Sequence, residues 1–143
     1  MDIVIDFDGT VVSHEFPKVG NDIGAVPVLK KLVEAGHKLI LFTMRSDIKN
    51  PISTCISIIP VAGNYLTDAV KWFDKNNIPL YGIQKNPDQS SWTTSPKAYG
   101  QIIIDDAALG IPLKADFKIS ARLFVDWGKV EKMLIKKGVI GGE

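Results

Sequence analysis

Met1-Asp2-Ile3-Val4-Ile5-Asp6-Phe7-Asp8-Gly9-Thr10 sets three consecutive aliphatic residues between Asp2 and Asp6 and follows them with a further aspartate, Asp8, and a glycine. A continuous apolar run, as opposed to an alternating one, is the pattern of a strand buried on both faces of a parallel sheet. Leu39-Ile40-Leu41-Phe42 and Ile102-Ile103-Ile104 repeat it. Between the first two runs, Val26, Leu29, Leu32 and Val33 recur at helical spacing within 25–35, with Pro27 in the first turn and Gly36 as the stop, which completes a β-α-β unit.

The next segment repeats this logic. Thr67 is expected to cap a helix over 67–77 with Ala69, Val70 and Phe73 on one face, and a strand follows at 80–83. Beyond Ile104, 117–124 reads as a further strand or an irregular return. Asp126 caps a helix over 126–137 with Val130, Met133 and Leu134 inward, and 138–143 reads as a frayed tail. The stretches 11–24 and 46–66 carry no clear periodicity, and Met44 and Trp127 read as core. The alternation predicts an α/β fold with a doubly wound parallel sheet.

The chain's 143 residues, 45% hydrophobic and 23% charged, match one ordinary globular domain. Cys55 stands alone, so neither an internal disulfide nor a multi-cysteine zinc site can form, and a buried hydrophobe in a reducing compartment is the expected role. Lys and Arg total 17 against 16 Asp and Glu, a net charge of +1 that gives no overall pull toward nucleic acid or a membrane surface. No apolar run approaches the roughly 18 residues of a membrane span, and no leader pattern precedes Asp2, so a cytoplasmic location is expected.

In open parallel sheets, ligands bind beyond the carboxyl ends of the strands. There the runs deliver Asp6, Asp8 and Thr10, then Thr43, Met44 and Arg45, then Asp105 and Asp106, with Lys97 upstream of the last run. Carboxylates gathered in one place repel one another unless protons or a cation compensate them, and Mg²⁺ is the usual hard cation where phosphate is also bound. An aspartate without a serine, cysteine or histidine partner can serve as a nucleophile toward phosphorus. A second carboxylate two residues on can move the proton if Gly9 turns the chain back over the site. Thr43 would hydrogen-bond a phosphoryl oxygen, and Lys97 would offset developing charge.

Asp6-x-Asp8-Gly9-Thr10 resembles motif I of the haloacid dehalogenase superfamily of phosphotransferases and hydrolases. Thr43 is similar to motif II, Lys97 to motif III and Asp105-Asp106 to motif IV, in the same chain order. The resemblance covers about 2–113 and implies a three-layer Rossmann-like sheet of order 5-4-1-2-3. It also implies a Mg²⁺-dependent phosphatase with Asp6 as nucleophile and metal ligand, and Asp8 as general acid/base and ligand through its carbonyl. Asp105 would be the direct acidic ligand, with Asp106 bound through water or supporting. An aspartate at the Asp8 position marks phosphatases within the superfamily, so dehalogenation is not implied. The gaps 11–24 and 44–96 leave no room for a folded cap, so the site is expected to be open. It would then accept a bulky or protruding phosphate, or borrow its closure from a second copy of the chain.

Several residues keep a second reading. Lys97 is preferred to Lys85 and Lys114 on position and family pattern, while a solvated surface group is the ordinary state of a lysine. Asp106 could cap the turn through Ala107 instead of serving the site. Arg45 could grip a substrate anion or pair with Asp47. His14 could meet a leaving group or face solvent, and Trp92 is expected to anchor its loop more than to stack a ligand. Two other function classes stand beside the phosphatase: a receiver-like phospho-acceptor module, against which the motif order argues, and a catalytically silent metal- and phosphate-binding subunit.

Overall fold

The computed structural model describes residues 1–49 and 61–142. Among these residues, eight strands and three α-helices run in the order β1 (Asp2–Ile5), α1 (Ala25–Glu34), β2 (Lys38–Leu41), β3 (Asp47–Ile48), β4 (Gly63–Asn64), α2 (Tyr65–Lys75), β5 (Gly82–Ile83), β6 (Ile102–Ile104), β7 (Leu113–Lys114), β8 (Phe124–Val125) and α3 (Trp127–Lys136). The three continuous apolar runs form the centre of a four-stranded parallel sheet of order β5-β2-β1-β6. Ile3 sits between Leu39 and Ile102, and Ile40 pairs with Gly82. The order agrees with four of the five positions expected. Among the described residues the fifth strand is absent from this sheet, because β7 and β8 pair antiparallel as a separate ribbon. The architecture is α/β and compatible with a Rossmann-like fold.

Side-chain alternation along β1 and β2 decides how the layers form. Ile3, Ile5, Leu39 and Leu41 point to one face and share a single buried cluster with Val28 and Leu32 of α1, Phe73 of α2 and Trp127 and Leu134 of α3. Val4 and Ile40 point to the other face, where the buried cluster, among the described residues, holds Ala98 besides them. That face is covered by the irregular segment between β5 and β6, which approaches so closely that a Cβ on Gly100 would lie 2.8 Å from Val4. Ile103, on the same face, remains about half exposed. The three-layer, doubly wound expectation therefore departs from the described residues, in which all three helices contribute to one cluster. The segment between the strands replaces the second helical layer with loop and a single 3₁₀ turn at Gln89–Ser91.

Local corrections have similar physical causes. Helix α2 begins before Thr67, and its first turn is held by Asp47, which accepts from the Thr67 N–H at 2.9 Å and the hydroxyl at 2.6 Å. Asp126 caps α3 as expected, accepting from the Lys129 N–H at 3.1 Å. Met133 lies 42% exposed and Met44 98%, so neither belongs to the core, whereas Trp127 does. The segment after α3 is not frayed at its start. Val139 and Ile140 are buried, and the Val139 carbonyl lies 2.6 Å from His37 Nε2. Cys55 and most of 46–66 lie outside the described residues, and no described helix is long and apolar enough to cross a membrane.

Candidate functional site

Because β1 and β6 run parallel with Ile5 opposite Ile104, Asp6 and Asp105 leave the sheet side by side at its carboxyl end. The Asp6 N–H donates to the Ile104 carbonyl at 3.0 Å and carries the pairing one residue past the strands. Asp6, Asp105 and Asp106 each place a carboxylate oxygen within 4.8 Å of the others. The buried Thr10 hydroxyl ties the group together, donating toward Asp6 Oδ2 at 2.9 Å and Asp106 Oδ1 at 3.3 Å and accepting from the Asp106 N–H at 3.0 Å. Trp127 in turn donates its indole N–H to the Thr10 carbonyl at 2.6 Å, so α3 braces the loop from below. The loop can turn only because residue 9 is glycine. Its φ is +77°, and a Cβ there would stand 2.5 Å from Asp106 Oδ2.

Electrostatics follow from this crowding. Burial pushes the Asp6 carboxyl up to about 7, and the neighbouring Asp105 charge adds to that against hydrogen bonds from the Phe7 N–H and Thr10. Burial, then the Asp106 carboxylate, also raises Asp105, against the Ala107 N–H, which donates to it at 2.8 Å. Protons or a hard divalent cation would relieve the same repulsion. The donor set, three carboxylates with no histidine or thiolate among them, fits an oxygen-preferring ion.

Arg45 resolves neither way its sequence suggested. Its guanidinium takes both oxygens of Asp8, Nε to Oδ2 and Nη2 to Oδ1, each at 2.8 Å. The remaining donors reach the carbonyls of Tyr65 at 3.2 Å, Lys18 at 2.8 Å and Pro17 at 3.5 Å. The rings of Phe7 and Phe16 lie 5.0 and 5.1 Å from its central carbon. With its side chain 1% exposed, Arg45 is a bolt between the β1 loop, the 11–24 segment and α2, and it is not a free anion grip. Asp47, its other proposed partner, serves α2 instead.

Thr43 stands at the end of β2 with its main chain clamped. The Gln84 amide accepts from the Thr43 N–H at 2.9 Å and donates to its carbonyl at 2.7 Å. The Thr43 hydroxyl accepts from the Arg45 N–H at 3.1 Å, which directs its own proton elsewhere. Gln84 went unnoticed in the sequence, although its place immediately after the β5 run was the available signal. It adopts a left-handed φ of +65°.

These groups line an open cleft of about 490 Å³ that holds Asp6, Asp8, Thr43, Arg45, Asp105 and Asp106 together. Lys97 is not among its walls. The Gln101 N–H donates to the Asp2 carbonyl at 2.9 Å, which puts the approach to β6 at the opposite end of the sheet. Lys97 lines a separate cavity of about 390 Å³ with Trp92, Tyr99 and Ile103 on the second face. Lys85 and Lys114 do not line the cleft either. The cations that do are Arg45 and Arg122, and Arg122 donates to His14 Nδ1 at 3.1 Å. His14 thus faces the cleft, while Trp92 packs edge-on against Tyr99 with centroids 5.3 Å apart, as a loop anchor should.

No protein-family model matches the chain, and no curated protein does. Among solved structures, a conserved protein from Bacteroides thetaiotaomicron superposes with a TM-score of 0.69 at 30% identity, covering 96% of this chain and 91% of its own. The chain belongs to the family of that conserved protein. The likeness extends to fold and sequence together, while the reading of the cleft rests on the geometry above.

Proposed function

We propose that the protein is a Mg²⁺-dependent phosphomonoester hydrolase working through a phospho-aspartate at Asp6. The observation that carries this is the meeting of Asp6, Asp105 and Asp106 within 4.8 Å at one strand edge, in a cleft that also holds Thr43. Asp6, Asp105 and Asp106 would hold the ion, which when bound shields the carboxylates and the phosphoryl oxygens from one another. Asp6, unprotonated, attacks phosphorus as the leaving oxygen departs, and water then attacks the phospho-aspartate to return the carboxylate and release phosphate. The Thr43 hydroxyl donates to a phosphoryl oxygen. Thr10 and Gly9 keep Asp6 and Asp106 facing each other. Lys97 has no role in this scheme.

Asp8 is the proton carrier of the scheme, and its pairing with Arg45 engages both of its oxygens. That clamp favours one second reading, a metal- and phosphate-binding subunit with little turnover. The receiver-like alternative has less support, since Gln84, the residue that follows β5, is committed to Thr43.

Release of inorganic phosphate from a panel of phosphomonoesters with Mg²⁺, abolished by a chelator and by Asp6→Asn, is the direct test. Undiminished hydrolysis by the Asp6→Asn protein would overturn the reading. Phosphate-dependent stabilisation without turnover would favour the second.

A further inference from the structure

We propose that Arg122 and His14 form a second anion subsite in the cleft, so that the preferred substrates are phosphomonoesters carrying another negative group, a carboxylate or second phosphate. This rests on the hydrolase reading above and concerns which esters the same cleft selects.

Three observations lead there. First, the cleft's other cation is consumed, because every donor direction of Arg45 meets Asp8 or a backbone carbonyl. Second, Arg122 is exposed, lines the cleft, and meets no carboxylate within ion-pairing distance among the described residues; its side-chain partner is His14 Nδ1. A guanidinium has no acceptor, so Arg122 donates in this bond and Nε2 is the imidazole's remaining donor. Third, the cleft's volume of about 490 Å³ far exceeds one phosphoryl group, which leaves room beside Arg122 for the body of a ligand. Phe16 and Met44, apolar and exposed in the same cleft, offer no competing anion site.

The pairing of an exposed guanidinium with an imidazole also explains how two basic side chains from distant parts of the chain come together without a carboxylate between them. Residue 14 lies in the segment that Arg45 bolts down through the Pro17 and Lys18 carbonyls, and residue 122 lies just before β8. Ser120, two residues earlier, donates to Glu15 at 2.8 Å and ties the two segments together, which holds the pair in place before any ligand arrives.

The experiment compares near-isosteric esters with Mg²⁺ present: 3-phosphoglycerate against glycerol 3-phosphate, and phosphoglycolate against ethylene glycol phosphate. The wild-type protein is expected to favour the carboxylate-bearing member of each pair by about ten-fold or more in kcat/KM, mainly through KM. Arg122→Gln should bring that ratio to within about two-fold of unity, Arg122→Lys should restore part of it, and Lys97→Ala should leave it at the wild-type value. Calorimetric binding of the same four compounds to the Asp6→Asn protein reads the preference without turnover. Hydrolysis without charge preference, or a preference untouched by Arg122→Gln, overturns the subsite and leaves the hydrolase reading standing. A binding preference with no hydrolysis of any ester supports the subsite and overturns the hydrolase reading.

Discussion

Replacing Asp6 by asparagine should stabilise the metal-free protein at neutral pH even as it removes the proposed nucleophile. The folded protein holds the Asp6 proton up to about pH 7, whereas an unfolded aspartate gives it up near 3.8. Between those values the folded state binds more protons than the unfolded one, so raising the pH favours unfolding. Stability from this group is complete below about pH 4 and is lost as pH rises through about 7. At about 1.36 kcal/mol per pH unit the whole interval corresponds to roughly 4 kcal/mol. Sharing of protons among three neighbouring carboxyls and partial contact with water reduce this to about 2–3 kcal/mol. Asparagine keeps the shape and accepts the Thr10 hydrogen bond while carrying no charge. Urea denaturation of both proteins in chelator, from pH 5 to pH 8, covers about two thirds of that interval and should therefore show the wild type losing about 1–2 kcal/mol relative to Asp6→Asn. Parallel stability–pH curves for the two proteins would refute the claim that Asp6 is destabilised by burial beside its acidic neighbours.

The same repulsion predicts that Mg²⁺ raises the midpoint of thermal unfolding more at pH 8 than at pH 6, because the ion must displace the Asp6 proton; an equal rise at both would count against Asp6 as a ligand. Gly9→Ala places a Cβ 2.5 Å from Asp106 at a left-handed φ, so it should cost about 1–3 kcal/mol in denaturant unfolding and weaken Mg²⁺ binding as Asp106 moves. Arg45→Met strands the Asp8 carboxylate and three carbonyls, and should cost about 3–5 kcal/mol, checked by the midpoint of urea unfolding; a loss under 1 kcal/mol would show that the pair is not a structural bolt. Lys97→Ala should leave phosphate release within about two-fold of wild type, and a hundred-fold loss in a steady-state assay would restore the lysine to the site.

What was legible in the sequence is what depends on neighbours along the chain. Continuous apolar runs at Ile3, Leu39 and Ile102 had to be strands buried on at least one face, and the helical stripes between them had to return the chain to the same sheet edge. Parallel strands in register then carry Asp6, Thr43 and Asp105 to one end, whatever else the fold does. The acidic cluster and its need for a proton or cation follow from that alone. Asp126 could cap α3 because a cap needs only the next three residues.

The tertiary structure decided what depends on distance through space. Lys97 sits only a few residues ahead of β6, but the segment runs to the amino end of the sheet before turning, and its short loop path leaves the lysine on the far face. Arg45 had Asp47 two residues away, yet the guanidinium fork is matched by the paired oxygens of Asp8 and by carbonyls that only the folded 11–24 segment and α2 bring within reach. Arg122 carries no local signal of its own, and the place of Gln84 after β5 does not say what it binds, because the partners that give them meaning, His14 and Thr43, lie far off in sequence. Strand ends could be read along one dimension, but which cation faces the cleft depends on chain paths in three.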